Sequence, residues 1–485
     1  MENLPANAAA GARPLAQIGR CCAALVLIDP RRGMRNAVAV EVPDTRFARV
    51  GDDRVAYQVF GEGPPDLVYM AGVSETVDTR WDWPPYAYFL RRLASFSRVV
   101  MFDSRGQGAS DSLSKGGVSV WEDWAEDARA VLDAVGSERA ALFSNMEATA
   151  SAVLFAATQP ERTQALILFL GTARTLPADG YPGGLSHDSF GDVEGLMADV
   201  WGTEASASIL TPAVSDDPLY RRWFAKSQRA AASSRDAAAF GKIITSMDVR
   251  QVLPSVSAPT LVIHRRGGEW LVPVEQARYL ADHLPDARLL LSDGDDVNAW
   301  SEPVEETLEA VEALVAGARD RTPDIDRVLA TVLFTDIVGS TERAAAVGDR
   351  RWRTLLESHD TISRGVIDQH GGRIFGHTGD GVLATFDGPG RAVQCALSLR
   401  DALRTLAIDI RAGIHTGEVD IRGDDISGIG VHVAARVVDH ADPGQIWVSG
   451  AVPLLMLGSN VEFEPRGEWA LKGVPGAWPL LAVRT

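Results

Sequence analysis

Cysteine is nearly absent: three occur in 485 residues. Cys21 and Cys22 are adjacent and Cys395 is remote, so no disulfide framework is available, and a reduced, cytoplasmic compartment fits. Long apolar runs are missing too. The longest early one, residues 21–28, falls far short of the roughly 20 residues that span a bilayer. It ends at Asp29-Pro30-Arg31-Arg32 with no small-residue cleavage pattern, so it does not read as a secretion signal. A cationic surplus is also lacking, with 47 Lys and Arg against 65 Asp and Glu and a net charge of −18. That balance excludes nucleic acid and anionic membrane as expected partners. An anionic substrate would have to be met by a metal ion or a few placed basic side chains. What is present is ordinary for a globular protein: 46% hydrophobic and 23% charged residues. The length implies two or more domains.

Two patterns meet near residue 320. Residues 1–46 read as a loosely ordered N-terminal extension. Over 47–318, runs such as "DLVYMAG", "SRVVMFD", "QALILFLG" and "PTLVIHRR" alternate with helical patterns, which predicts a mostly parallel sheet covered by helices. Residues 175–250 break the alternation with Gly/Pro turns and then helices, as a cap inserted over the sheet would. A helix over 302–318 closes this domain, and a polar linker occupies 319–327. Residues 328–485 run strand, helix, two strands, helix, strand and further elements, the β-α-β-β-α-β order of a ferredoxin-like α+β fold.

Histidine is missing where one chemistry would need it. Residues 140–143 predict a strand that enters a tight turn and a small-residue helix. The turn positions Ser144, Asn145, Met146, Glu147 and Ala148 fall where a G-x-S-x-G elbow carries its nucleophile third. The third residue is Met146, whose thioether has no proton to lose. "VMFDSRGQGASD" and "LFAATQPER" make residues 47–318 resemble the α/β-hydrolase family. Its acid normally follows the strand "PTLVIHRR" in a Gly-Asp pair; here the pair is Gly267-Gly268. Its histidine normally ends a DDH-like turn; here the turn is Asp295-Asp296-Val297. After His283, in an expected helix, the next histidine is His359; His187 and His264 precede the acid position. Met146, Gly268 and Val297 thus mark an inactive triad, and Ser144 lies two residues too early to replace the nucleophile. A pocket remains. Trp81, Trp83, Trp121 and Trp124 fall near it, and core packing is favoured over an aromatic-lined site for a small apolar ligand.

In the second half, Asp336 ends the strand "ATVLFTD". Val338, Gly339, Ser340 and Thr341 then open a helix whose N–H groups suit a phosphate, without the GK[ST] of a Walker A loop. Asp380 lies in Gly379-Asp380-Gly381 between two strands. Alone, Asp336 reads as a helix cap and Asp380 as a hairpin turn. Antiparallel pairing of their strands would bring both carboxylates to one edge, a donor set for Mg²⁺ or Mn²⁺.

"VLFTDIVGST", "GHTGDGVLATF", "GIHTGEV", "VHVAARV" and "LKGVPGAWPLLAV" make residues 328–485 resemble class III adenylyl/guanylyl cyclases. The resemblance implies two Mg²⁺ or Mn²⁺ ions at Asp336, Ile337 and Asp380, and phosphate contacts from Val338, Gly339, Ser340 and Thr341. It also implies Lys472 on the triphosphate, and Arg436 reaching the α-phosphate from the partner protomer of a head-to-tail homodimer. Gly376 stands where the family commonly has a base-reading Lys, beside the acid Asp425. His432 replaces the usual ribose-orienting Asn. His377 is a second candidate donor to the base, with an exposed turn residue the favoured reading. The expected function is conversion of ATP or GTP to a 3′,5′-cyclic nucleotide and pyrophosphate, with the hydrolase-like domain as an inactive sensor. The alternatives are a nucleotide-binding pseudo-cyclase and, third, a serine hydrolase.

Overall fold

The β-branched and aromatic runs of the first half become strands. The computed structural model describes residues 41–113, 120–181, 184, 193–319, 327–377, 380–423, 425–456 and 459–484. Most of the extension and of the linker, and the side chain of His377, lie outside the described residues. The first sheet contains β1 (Arg46–Val50), β2 (Asp53–Phe60), β3 (Asp66–Met70), β4 (Arg98–Phe102), β5 (Ala140–Asn145), β6 (Thr163–Phe169), β7 (Thr260–Arg265) and β8 (Ala287–Ser292). Its order is β1-β2-β4-β3-β5-β6-β7-β8. From β4 onward every pairing is parallel, and β2 meets β4 antiparallel.

Both faces of this sheet are covered, so its central strands are apolar throughout. On β5, Ala140 and Leu142 join one core and Ala141 and Phe143 the other. The first core is roofed by α2 (Val120–Ala134) and α3 (Thr149–Thr158), the second by α1 (Pro84–Ala94). Between β6 and β7 come α4 (Val193–Val200), α5 (Ala205–Leu210), α6 (Pro218–Ala231) and α7 (Ser234–Thr245), the expected cap. The crossover α8 (Val274–His283) and the closing helix α9 (Val304–Ala318) complete this half.

The second sheet contains β9 (Val328–Ile337), β10 (Arg373–His377), β11 (Val382–Phe386), β12 (Ile410–Arg422), β14 (Ile446–Ser449), β15 (Phe463–Ala470) and β16 (Ala477–Val483), with the short β13 (Asp425–Ser427) on the end of β12. The order is β10-β11-β9-β12-β14-β16-β15, antiparallel except for β12 with β14. The single first helix expected here is two, α10 (Ser340–Val347) and α11 (Asp349–Gln369), broken at Gly348, whose φ of 79° suits glycine. With α12 (Pro389–Arg404), α11 covers the sheet face bearing Leu333, Ala384 and Ala412. The opposite face, with Val332 and Phe334, carries α13 (Ile429–His440). Its approach is close enough that a Cβ on Gly413 would overlap the Val438 backbone. The last helix, α14 (Ala451–Leu455), follows β14.

Residues 38–485 form one compact unit in which the two sheets abut. Leu329 of β9 belongs to the first sheet's core. Glu122 of α2 accepts a hydrogen bond from the Gly390 N–H (3.0 Å), in the first turn of α12, and Glu126 pairs with Arg391 at 2.5 Å. Gln159 donates to Asp387 at 3.0 Å and Ser255 to Glu418 at 3.2 Å. A side chain on Gly388 would overlap the Glu122 carboxylate. Among the described residues, no helix is long and apolar enough to cross a membrane.

Candidate functional site

The β9–β11 ladder positions the two expected carboxylates. Leu383 lies across from Phe334, and the Val382 N–H donates to Thr335 Oγ1 at 3.0 Å. One step further, that register sets Gly381 opposite Asp336, so Asp380 in the β10–β11 turn lies at the Asp336 end of the sheet. Asp336 does not cap α10; Gly339 holds that position, with no side-chain cap. The Asp336 carboxylate instead accepts from Arg411 on β12, at 2.8 Å from Nε and 2.6 Å from Nη2. Asp380 Oδ2 is buried and, among the described residues, has no hydrogen-bond partner. A surface hairpin turn would not leave a carboxylate oxygen in that state. Ile337 is 2% exposed and packs with Leu399 and Leu403, which leaves its carbonyl as the donor it can offer. The phosphate cradle departs from expectation at Val338, whose N–H is spent on the Asp409 carbonyl at 2.9 Å. The first turn of α10 keeps Gly339, Ser340 and Thr341.

A second group assembles on α13 and the tail. Arg436 donates to the Lys472 carbonyl at 3.2 Å and pairs with Asp439 at 3.0 Å. His432, one helical turn earlier, is exposed on the same side, as is Lys472 on its loop. Asp425 is exposed in β13, its Oδ1 accepting from the Ile426 N–H at 3.0 Å. Gly376 sits on β10, where an added Cβ would meet nothing within 4 Å. Arg373 of the same strand donates to the Gly423 carbonyl at 2.6 Å, tying β10 to the turn before β13. Among the described residues, no hydrogen bond or ion pair joins Asp336 or Asp380 to Arg436 or Lys472. Arg411 had no signal of its own in the sequence; only its register opposite Asp336 brings it forward.

The first sheet has its own cleft, at the ends of β3, β5 and β7. Met146 has a φ of 50°, the left-handed strain of a nucleophile elbow, on a residue without a nucleophile. A Cβ on Gly268 would lie 3.9 Å from Val297 and 3.2 Å from Leu170, so the acid and histidine positions adjoin. Met146 and Val297 line one cavity. All three positions therefore converge, and none carries a triad group. Ser144 is fully buried and donates to the Ile167 carbonyl at 3.3 Å, out of reach of the cleft. His264 is buried against the Val272 carbonyl at 2.8 Å, and burial lowers its pKa.

Glu147 adds a loss that motif reading missed. An oxyanion hole uses the N–H after the nucleophile and one from the β3 loop. Here the Glu147 carboxylate accepts from the Val73 N–H at 2.8 Å, so the β3-loop donor is filled from within. Burial raises its pKa. Trp81, Trp121 and Trp124 are core residues; the tryptophans on the cavity are Trp201 and Trp270.

Residues 324–480 match the family model described as the adenylate and guanylate cyclase catalytic domain. An adenylate cyclase of Streptomyces coelicolor is 33% identical over 149 residues, covering 30% of this chain and 38% of that protein. Across three curated relatives the chain spans between 18% and 38% of their length. The structure of the adenylyl cyclase CyaB from P. aeruginosa aligns with 33% of this chain and 95% of its own, at 24% identity and a TM-score of 0.31. The enol-lactonase from Burkholderia xenovorans LB400 aligns with 56% of this chain and 100% of its own, at 19% identity and a TM-score of 0.46.

Proposed function

We propose that this chain, whose residues 324–480 belong to the adenylate and guanylate cyclase catalytic-domain family, converts ATP or GTP to a 3′,5′-cyclic nucleotide and pyrophosphate. On this reading the site is shared between two copies of the chain. Residues 328–485 form the cyclase, 47–318 a catalytically silent regulatory module of hydrolase-like shape, and 319–327 the joint between them. The observation that carries it is the buried, unpartnered Asp380 Oδ2 beside Asp336. A buried carboxylate without a partner is costly unless a cation completes it.

The donor set suits a hard divalent ion. Mg²⁺ takes one or two carboxylates and leaves its other positions to water and phosphates. Among the described residues, no cluster of three or more His, Cys, Asp or Glu offers a fuller cage. Asp336, Asp380 and the Ile337 carbonyl would hold the ions, which when bound supply positive charge to the triphosphate and to the attacking hydroxyl. The rest falls to the chain. The first turn of α10 offers N–H groups to the phosphates. The ribose 3′-oxygen forms a bond to the α-phosphorus, the bond to the bridging oxygen breaks, pyrophosphate leaves, and the hydroxyl proton is released to solvent. Arg436 presents a planar, permanently charged fork to the negative charge that builds on the α-phosphate. Asp439 and the Lys472 carbonyl hold that fork in place. On this reading Arg436 serves the carboxylate pair of a second copy. His432 offers the ribose one donor and one acceptor, and Asp425 accepts from a base amino group.

A nucleotide-binding module without turnover is the second reading, and Arg411 on Asp336 favours it. Ester hydrolysis is not proposed: the triad positions are empty and Glu147 takes the β3-loop donor of the oxyanion hole.

One experiment separates these. Purified protein is given Mn²⁺ with ATP or GTP and the cyclic product is measured. Asp380→Ala and Arg436→Ala are assayed alone and mixed. Each alone is expected to be inactive, and the mixture to regain activity, because a mixed dimer keeps one intact site. No product from dimeric wild-type protein with either nucleotide would sink the reading and leave the second.

A further inference from the structure

A cavity of about 200 Å³ opens over the strand ends of the first sheet. Its wall is apolar, with Met146, Met197, Trp201, Phe224, Leu271 and Val297. Its polar end is one-sided. A hydrolase cleft aims N–H donors at a carbonyl oxygen; here the Val73 N–H is spent on Glu147. What faces the cavity instead are acceptors. Glu75 lines it and is 7% exposed, and among the described residues its carboxylate has no hydrogen-bond partner. Asn145 lines it as well, and its Oδ1 is buried without a partner. The charged groups around Glu75 are Arg80 and Glu147, with Asp103 on the Arg80 side. Arg80 donates to the Glu75 main-chain carbonyl at 3.0 Å, not to its carboxylate. Glu75 and Glu147 share one guanidinium, Arg80, and a buried carboxylate without a hydrogen-bond partner is costly.

We propose that this cavity binds a small, mainly apolar ligand with an ammonium group, whose N–H donors meet Glu75 and Asn145 while its hydrocarbon body fills the apolar wall. A 150 Å³ cavity accepts benzene, so this one suits an amine of about eight carbons. A carboxylate ligand would face the Glu75 carboxylate, like charge against like. The site is separate from the nucleotide chemistry and is tested by direct binding, so its fate does not depend on cyclase activity.

n-Octylamine, 1-octanol and octanoate share a chain and differ in head group. They are titrated into the full-length protein at pH 8 by calorimetry, with the emission of Trp201 and Trp270 as a second signal. Burial raises Glu75 to about 7, so it is mostly charged there. Octylamine is expected to bind at least about ten-fold more tightly than octanol, from one added charged hydrogen bond, and octanoate more weakly than either. Glu75→Gln brings octylamine down to the level of octanol and leaves octanol unchanged. Val200→Trp, which fills the cavity without touching Glu75, removes binding of both. Octanoate binding as tightly as octylamine overturns the proposal. So does an amine preference that survives Glu75→Gln, octylamine binding that survives Val200→Trp, or no octylamine binding by folded protein.

Discussion

The cleft over β5 and the strand edge between β9 and β11 dispose of their polar groups in opposite ways. In the first, the Val73 N–H is closed by a side chain of the same chain, Glu147. In the second, a carboxylate oxygen of Asp380 is left with nothing. In the cleft the Val73 N–H is satisfied within the chain, while Asn145 Oδ1 on the same cavity has no partner among the described residues. A site that expects a charged visitor keeps the cost of the missing partner until the visitor binds. Geometry alone does not tell the two apart: Met146 keeps the positive φ of a strained elbow, and the state of the polar groups is where the two sites differ.

The sharpest way to break this contrast is Asp380→Ala. Loss of several kcal/mol of charge stabilisation predicts a fall in cyclic nucleotide formation of about a thousand-fold, with octylamine titration unchanged. A variant that keeps its turnover would mean that the orphaned carboxylate is not the working one. Gly376→Lys comes next. The open space at that position admits the side chain, and one new hydrogen bond to the base predicts about a ten-fold shift toward ATP over GTP. An unchanged ratio in parallel assays would refute the role given to Gly376.

A smaller effect is expected where the halves meet. Glu122 is buried, its Oε2 has no partner, and burial raises its pKa from 4.5 to about 7. The folded state therefore holds a proton that the unfolded chain has already released, so this group's contribution falls as pH rises from about 4.5 to about 7. Glu122→Gln keeps the acceptor for Gly390 and removes the titration. Thermal melts from pH 5 to pH 8 should show the variant losing less stability than the wild type; parallel curves would count against the assignment. Smallest of all is Met146→Ser, predicted to give no ester hydrolysis on a chromogenic ester panel. It supplies a hydroxyl but neither a base nor an open oxyanion hole, and measurable turnover would show the cleft less retired than Glu147 implies.

Much of the architecture was legible because burial on both sheet faces writes itself into continuous apolar runs, as in β5 and β6. The placement of Asp336 and Asp380 was legible too, since a short hairpin and an antiparallel neighbour fix the register. What stayed hidden depends on contacts distant in sequence. Arg411 lies 75 residues from Asp336, Glu147 reaches Val73 across 74 positions, and Glu122 meets Gly390 across 268. No local pattern marks such pairs. The core reading of the tryptophans held for Trp81, Trp121 and Trp124, but which aromatics reach the cavity stayed hidden for a related reason. Nearness in sequence suggested Trp81, Trp83, Trp121 and Trp124, but the cap helix α4 and the loop after β7 bring Trp201 and Trp270 to the cavity instead.

The contact of Glu122 with the first turn of α12 also bears on how the chain comes into being. Synthesis runs from the N-terminus, and earlier domains generally fold first. The half whose helix α2 carries Glu122 is on this order complete before Gly390 leaves the ribosome, and the later half closes one of its helices on a carboxylate already waiting. The earlier half serves in this sense as a template for the later one. A C-terminal half released alone would have to end α12 in water.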